Sequence, residues 1–235
     1  MLYYIIYMKN FYLYIILLCF IIIAVSTFTH YYKYYVLRES FENNNDSGKT
    51  YILLGDSIIK NNSYVKNDKA VEDILNEKTN GNTKCYAKDE STIVDIYSQL
   101  DSIPSDINKG STIIFLSVGG NDILNIYADK EVSNKDTKVL EPIFNAYKTL
   151  IKSIQTKMNH SKLVLLDIYY PTNIKLAQYK PILEEWNKLI ADFASTNNLK
   201  VINISNILIE SSDFTLNIEP SETGGEKIAN NILLY

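Results

Sequence analysis

From residue 50 to the C-terminus, short apolar runs alternate with segments in which apolar residues recur at helical spacing. Apolar runs of strand length, bounded by turn residues, predict buried strands at 51–54, 112–118, 163–168 and 201–204, with a weaker strand at 84–87. The amphipathic segments predict helices near 70–75, 93–100, 142–154, 181–193 and 222–233. Strands and helices that alternate in this way predict an α/β fold, with helices on both faces of a parallel sheet of about five strands.

Two of the predicted strands run directly into turns that carry polar side chains. The first strand ends in Gly-Asp-Ser at residues 55–57, and the strand at 112–118 ends in Gly-Gly-Asn-Asp at residues 119–122. Taken alone, a Gly-Asp-Ser turn is also compatible with an ordinary connection between a strand and a loop. The carboxyl ends of parallel strands, however, share the sheet edge at which open α/β folds bind ligands. We therefore expect the two turns to lie together.

An uncharged segment rich in Ile, Leu and Phe occupies residues 11–28. It is just long enough for a membrane-spanning helix, and the tyrosines that follow it resemble an interfacial aromatic belt. We predict a flank at 1–10, a single transmembrane anchor at 11–28 and a juxtamembrane linker at 29–49, with a cleavable signal peptide as the alternative to the anchor. Basic residues at both ends leave the orientation open, and we expect the C-terminal domain on the lumenal or extracellular side.

Composition limits the classes of function. The chain has 235 residues, enough for one domain with appendages, and a net charge of −4, so the basic face of a nucleic-acid-binding protein is not expected. One of the two cysteines, Cys19, lies in the apolar N-terminal segment, which leaves neither a disulfide framework nor a cysteine zinc site. We expect no metal ion and no cofactor.

The two polar turns resemble blocks I and III of the SGNH, or GDSL, hydrolases, and the resemblance covers most of residues 50–235. It implies a three-layer α/β/α sandwich of flavodoxin-like type. It also implies that Ser57 is the nucleophile, and that the Ser57 backbone amide and the Asn121 side-chain amide stabilise the oxyanion. Neighbouring residues of the turns are expected in the same pocket, namely Asp56, Gly120 and Asp122.

Two further motifs of the family are altered in this chain. The position of the block II glycine, whose amide normally joins the oxyanion hole, is occupied by Glu90, or by Ser91 if the register slips by one residue. The family carries Asp-x-x-His near its C-terminus, but here Leu216 holds the aspartate position and Glu219 the histidine position. The surrounding Ile-Glu-Pro-Ser sequence resembles a divergent branch of the family. Neither histidine of the chain can replace the missing one, because His30 flanks the apolar segment and His160 precedes a strand, on the opposite side of the sheet.

Glu219 is therefore the candidate general base. A free glutamate has a pKa of about 4.3 against about 6.5 for histidine, so it is the weaker base unless partial burial raises its pKa. Asp213, six residues earlier, is a candidate supporting residue for this pocket. The alternative is that Glu219 only caps or positions the final helix, with Ser221 as the N-cap.

Two functions follow from these assignments. The first is a membrane-anchored serine hydrolase without a triad histidine, which removes an acyl or acetyl group from a glycan or lipid ester. The alternative is a catalytically inactive SGNH-fold domain that binds such a ligand and is presented from a membrane.

Overall fold

The computed structural model describes residues 25–29, 48–127, 137–173 and 176–235. The chain divides into two units, Met1–Asp46 and Ser47–Tyr235. In the first unit the description covers only residues 25–29, a short exposed helical segment. The anchor predicted at 11–28 otherwise lies outside the described residues, as does most of the linker, and both stay predictions. Within the described ranges, no helix combines the length and apolar character needed to cross a membrane.

A parallel five-stranded sheet forms the centre of the second unit, as the alternating pattern predicts. Its strands, each near its predicted position, are β1 Thr50–Gly55, β2 Thr83–Cys85, β3 Thr112–Ser117, β4 Lys162–Leu166 and β5 Lys200–Ile202. In space they are ordered β2-β1-β3-β4-β5. The longest pairing joins β1 to β3 and runs from Thr50 opposite Thr112 to Gly55 opposite Ser117. Both strands are almost completely buried, which explains their continuous apolar sequences.

Helices cover the sheet on both sides. Their bounds are α1 Val71–Lys78, α2 Asp95–Asp101, α3 Gly120–Tyr127, α4 Leu140–Lys157, α5 Lys180–Thr196 and α6 Glu222–Ile232. The strand order reverses after β2, so right-handed crossovers place α1 on one face and the helices that follow β2 on the other. The packing agrees, because α1 contacts α6 and α2 contacts α4. The three-layer sandwich is thus confirmed, and the reversal between β1 and β3 is the point at which such folds bind ligands.

An aromatic cluster beneath the end of β3 fixes the course of the chain there. Trp186 of α5 is fully buried and packs edge-on against Phe144 and Tyr147 of α4, at centroid distances of 5.5 and 5.4 Å. Gly119, the second residue after β3, has φ +116°, and a Cβ atom added to it would contact the Trp186 indole. Only glycine satisfies both constraints, so the Gly-Gly-Asn-Asp turn can leave the strand at this point.

We predict that Gly119→Ala lowers the free energy of unfolding by about 2–4 kcal/mol, because backbone strain of about 1–2 kcal/mol adds to the cost of overpacking. Urea denaturation of the variant against the parent protein measures this difference. Gly110→Ala is the matched control, since a Cβ atom at Gly110 meets no atom within 4 Å. Equal losses for the two variants would show that Gly119 is not constrained.

Candidate active site

Ser57 lies in a tight turn directly after β1. A Cβ atom on Gly55 would contact the carbonyl oxygen of Ser117, so the absence of a side chain lets β1 and β3 meet at this point. Asp56 closes the turn, because its Oδ1 accepts hydrogen bonds from the Ile58 N–H (3.1 Å) and the Ser117 hydroxyl (3.3 Å). These contacts fix the backbone from which the Ser57 side chain extends at the edge of the sheet, and Ser57 is 9% exposed.

Asp56 is a buried carboxyl group beneath the serine. Burial, together with the charge of Glu219, raises the pKa of Asp56 to about 7, against the lowering effect of its hydrogen bonds with Ile58 and Ser117. Near neutral pH the group therefore carries only part of a full negative charge. Asp56 lines the pocket, as predicted, but its hydrogen bonds show that it also shapes the turn.

The second polar turn meets the first across the sheet edge. Gly120 and Asn121, at the start of α3, line the same pocket as Ser57, as expected from the sequence. The Asn121 side-chain amide donates a hydrogen bond to the carbonyl oxygen of Ser91 (3.0 Å). Asp122 accepts the Ile93 N–H (3.0 Å) and so holds the loop at 91–93 against the start of α3.

Glu90 has the backbone conformation that favours glycine. Its φ is +59°, in the left-handed region, which accounts for a glycine as the family's usual residue at this position. The Glu90 side chain is exposed, and the Glu90 backbone N–H donates to Oδ1 of Asp89 (3.0 Å). In this structure the amide is thus directed at Asp89 and not into the pocket. Ser91, the alternative, is buried.

Glu219 is presented by a hairpin that the sequence did not predict. Strands β6 Phe214–Thr215 and β7 Glu219–Pro220 pair antiparallel. Leu216 and Asn217 in the turn both have positive φ, +47° and +76°. Leucine rarely adopts this conformation, and its cost is about 1–2 kcal/mol. Leu216, at the aspartate position of the family motif, is 68% exposed.

The Glu219 carboxyl group lies beside Ser57 in the pocket. Burial raises the pKa of Glu219, a hydrogen bond with the Ser57 hydroxyl lowers it, and the nearby charges of Asp89 and Glu90 raise it. Its Oε2 atom is buried and has no hydrogen-bonding partner among the described residues. A carboxylate in this position can accept the proton of the serine hydroxyl. The N-cap of α6 is Ser221, whose Oγ accepts the Gly224 N–H (3.2 Å), so Glu219 does not cap that helix.

Two buried side chains hold the hairpin in place. The Tyr169 hydroxyl donates to the carbonyl oxygen of Ile218 (2.6 Å), and its ring lies 5.1 Å from that of Phe214. Asn61 is fully buried, accepts the N–H of Val71 at the start of α1 (2.9 Å), and donates to the carbonyl oxygen of Pro220 (3.4 Å). Glu219 is thereby fixed on both sides by polar residues that sequence reasoning missed.

Asp213 is buried but belongs to the support of the hairpin. Its carboxylate forms an ion pair with Lys227 of α6 (2.7 Å) and accepts the N–H groups of Ile209 and Glu210 (3.0 Å each). Its carbonyl oxygen accepts the Ser221 N–H (2.9 Å). A supporting role for Asp213 in the pocket stays a prediction. These contacts would let it act on Glu219 only through the backbone of the hairpin. His160 precedes β4 at the opposite, amino edge of the sheet, as predicted.

The rest of the pocket wall is mostly apolar. Beside the polar residues, the lining consists of Ile58, Ile123, Leu124, Ile168, Tyr169, Pro171, Leu176, Tyr179, Leu183 and Ile218. Such a wall can bury a hydrocarbon chain next to the serine, at about 0.8 kcal/mol for each CH₂ group. Within the described ranges, no group of three or more His, Cys, Asp or Glu side chains could hold a metal ion.

The sandwich, with a serine after its first strand and an asparagine after the third in one pocket, defines an SGNH-type hydrolase. The GDSL-like Lipase/Acylhydrolase family matches residues 53–224, which is more than half of the chain. The chain belongs to this family of esterases and acylhydrolases. No curated protein matches it in sequence.

Solved structures of similar proteins share the fold. A lipolytic protein of the G-D-S-L family from Veillonella parvula has 20% sequence identity and a TM-score of 0.59, and the match covers 78% of this chain and 96% of that one. Phospholipase A1 from Streptomyces albidoflavus has 14% identity and a TM-score of 0.60, with 79% and 98% covered. An extracellular lipase from Streptomyces rimosus has 15% identity and a TM-score of 0.60, also with 79% and 98% covered.

We predict that Tyr169→Phe lowers the free energy of unfolding by about 1–2 kcal/mol, because the Ile218 carbonyl oxygen loses its hydrogen bond. Thermal and urea denaturation measure the loss. Tyr97→Phe is the control, since the Tyr97 hydroxyl has no partner in the described part of the chain, and we expect a change within about 0.5 kcal/mol. A Tyr169→Phe protein as stable as the control would contradict the anchoring role.

Proposed function

We propose that the protein is a serine esterase that hydrolyses esters of apolar acyl groups, with Ser57 as nucleophile and Glu219 as general base. The observation that carries this proposal is that Ser57 and Glu219 line one pocket whose remaining wall is mostly apolar. A nucleophile beside a base, next to a space for the acyl chain, is the arrangement that acyl transfer requires.

The reaction proceeds in two halves. Ser57 Oγ attacks the acyl carbonyl carbon while Glu219 accepts the hydroxyl proton. The tetrahedral intermediate collapses when the C–O bond to the alcohol breaks and Glu219 returns the proton to that oxygen. Water then attacks the acyl-enzyme, with Glu219 again as base, and releases the acid and free Ser57.

The oxyanion is stabilised by the Ser57 backbone amide and the Asn121 side chain. An amide NH₂ group has two hydrogens, and Asn121 uses one of them to hold Ser91. The other is available for the oxyanion, a contact worth about 2.7–4 kcal/mol in the transition state. Glu90 does not add its amide while that N–H donates to Asp89.

The raised pKa of Glu219 offsets part of its weakness as a base. At ordinary values a glutamate is about two pKa units less basic than histidine, equivalent to roughly 3 kcal/mol if fully expressed in the rate. Burial and the carboxylates of Asp89 and Glu90 raise the pKa of Glu219 above its ordinary value. These neighbours therefore contribute to the rate without contacting substrate.

The apolar wall favours an acyl chain of a lipid ester over an acetyl group of a glycan. Two structurally similar proteins are a phospholipase A1 and an extracellular lipase, which agrees with this choice.

We further propose that residues 11–28 anchor the protein in a membrane as a single pass, with the C-terminal domain outside the cytoplasm. The second candidate, an inactive binding domain, is favoured by the direction of the Glu90 amide.

A fluorophosphonate probe tests the proposal, because it reacts with activated serines. We expect labelling at Ser57 alone by peptide mapping, none in Ser57→Ala, and labelling slowed about 100-fold in Glu219→Gln, since loss of a general base costs at least that factor. Glu226→Gln, an exposed change on α6, is the matched control and should react as the parent does. Folded parent protein that no probe labels at any pH would contradict the proposal and favour the binding domain instead.

We predict that hydrolysis falls as the pH is lowered through the pKa of Glu219, because the protonated carboxyl cannot act as a base. Glu90→Gln removes a charge that raises this pKa, so the acidic limb of kcat/KM should move to lower pH. The shift should shrink with added salt, since Glu90 is exposed. Glu77→Gln on the exposed side of α1 is the control, and a limb that does not move in Glu90→Gln would exclude Glu219 as the titrating base.

A further inference from the structure

Gln99 of α2 is a buried amide whose hydrogen-bonding groups all have partners in the active-site region. The residue is 1% exposed. Its Oε1 accepts the Gly55 N–H (2.8 Å), and its Nε2 donates to the Gly55 carbonyl oxygen (2.8 Å) and to Ser91 Oγ (3.0 Å). The side chain thus joins the turn that carries Ser57 to the loop that includes Glu90.

The bonds to Gly55 lie beyond the last paired residues of β1 and β2. The register of β2 against β1 ends with Cys85 opposite Leu53. Two residues later, Gly55 presents its N–H and carbonyl groups toward the same side, beyond the end of β2. Gln99 occupies that side and pairs with both groups, and the Lys88 N–H also donates to the Gly55 carbonyl oxygen (3.0 Å). The last residue of β1 is therefore held in place before the chain turns to Ser57.

The bond to Ser91 extends this link to the oxyanion residue. Ser91 accepts a hydrogen bond from Gln99 at its hydroxyl and one from Asn121 at its carbonyl oxygen (3.0 Å). A continuous path therefore runs from Gly55 through Gln99 and Ser91 to Asn121. Each residue on this path is hydrogen-bonded to the next one.

We propose that Gln99 is a positioning residue that sets the distance between the Ser57 nucleophile and the Asn121 oxyanion donor. This inference rests on the proposed function, in which both groups act on one tetrahedral intermediate. A loss of about 1 Å in such alignment can cost a factor of about 100 in rate. Gln99 touches neither the substrate nor the reacting atoms.

The structure offers a matched control for a buried amide of this kind. Asn187 of α5 also pairs with both backbone groups of one residue, since its Oδ1 accepts the Ile168 N–H (2.9 Å) and its Nδ2 donates to the Ile168 carbonyl oxygen (2.6 Å). Ile168 belongs to the apolar wall of the pocket. Loss of the Asn187 amide should destabilise the fold to a degree similar to loss of the Gln99 amide. It should, however, affect acyl binding and not the two turns that carry Ser57 and Asn121.

The test compares Gln99→Met, Ser91→Ala and Asn187→Leu in the full-length protein, by ester kinetics and by hydrogen-exchange mass spectrometry. For Gln99→Met we expect kcat to fall at least tenfold with KM changed less than twofold, and faster amide exchange in residues 55–58 and also in 91–93. Ser91→Ala keeps the bonds to Gly55 and should show a smaller fall in kcat with faster exchange in 91–93. Asn187→Leu should raise KM and speed exchange near Ile168 only.

Exchange in residues 91–93 decides the inference independently of activity. If Gln99→Met and Ser91→Ala leave that exchange at the parent rate, Gln99 does not couple the two turns and the proposal is wrong. If Gln99→Met lowers stability as Asn187→Leu does but keeps the parent kcat, Gln99 is only structural and the proposal is also wrong. A parent protein that hydrolyses no ester and resists the fluorophosphonate would refute the proposed function, while the exchange data would still report on the coupling. Should Gln99→Met fail to fold, Ser91→Ala alone decides.

Discussion

The close approach of β1 and β3 at their carboxyl ends is the constraint on which the site depends. It requires a residue without a Cβ atom opposite the carbonyl of Ser117, and Gly55 meets that requirement. Because the two strands stay paired to their last residues, the turns that follow them open side by side. In the proposed mechanism Ser57 and Asn121 act on one carbonyl group from these adjacent turns, which is the preorganisation that catalysis by fixed dipoles needs.

The parts of this site that sequence reasoning predicted are those that follow from strand burial. Tyr51 to Leu54 and Thr112 to Val118 are apolar over a whole strand length, so the fold class and the meeting of the two polar turns could be inferred. The hairpin that carries Glu219 could not, because its strands have two residues each and its turn places a leucine in the left-handed region. No turn-forming glycine marks it.

The supporting residues could not be predicted from the sequence for a different reason. Gln99, Asn61 and Tyr169 act through one or two directed hydrogen bonds to backbone groups far away in sequence. Asparagine and glutamine are usually exposed and tyrosine is intermediate in burial, and no local pattern distinguishes the buried ones. What such a residue does becomes visible only when its partners are known, and buried polar groups almost always have partners.

The exposed Leu216 has a consequence for how the proposed base is organised. An imidazole has two distinct nitrogens, so an aspartate beside a catalytic histidine is needed to select the tautomer with its lone pair toward the serine. The two oxygens of a carboxylate are chemically equivalent, and either can take a proton without any such selection. With Glu219 as base, an aspartate partner is no longer required, and its position can be occupied by a solvent-exposed apolar residue such as Leu216. The mechanism then runs as a two-membered serine–carboxylate system rather than as a triad with one member lost.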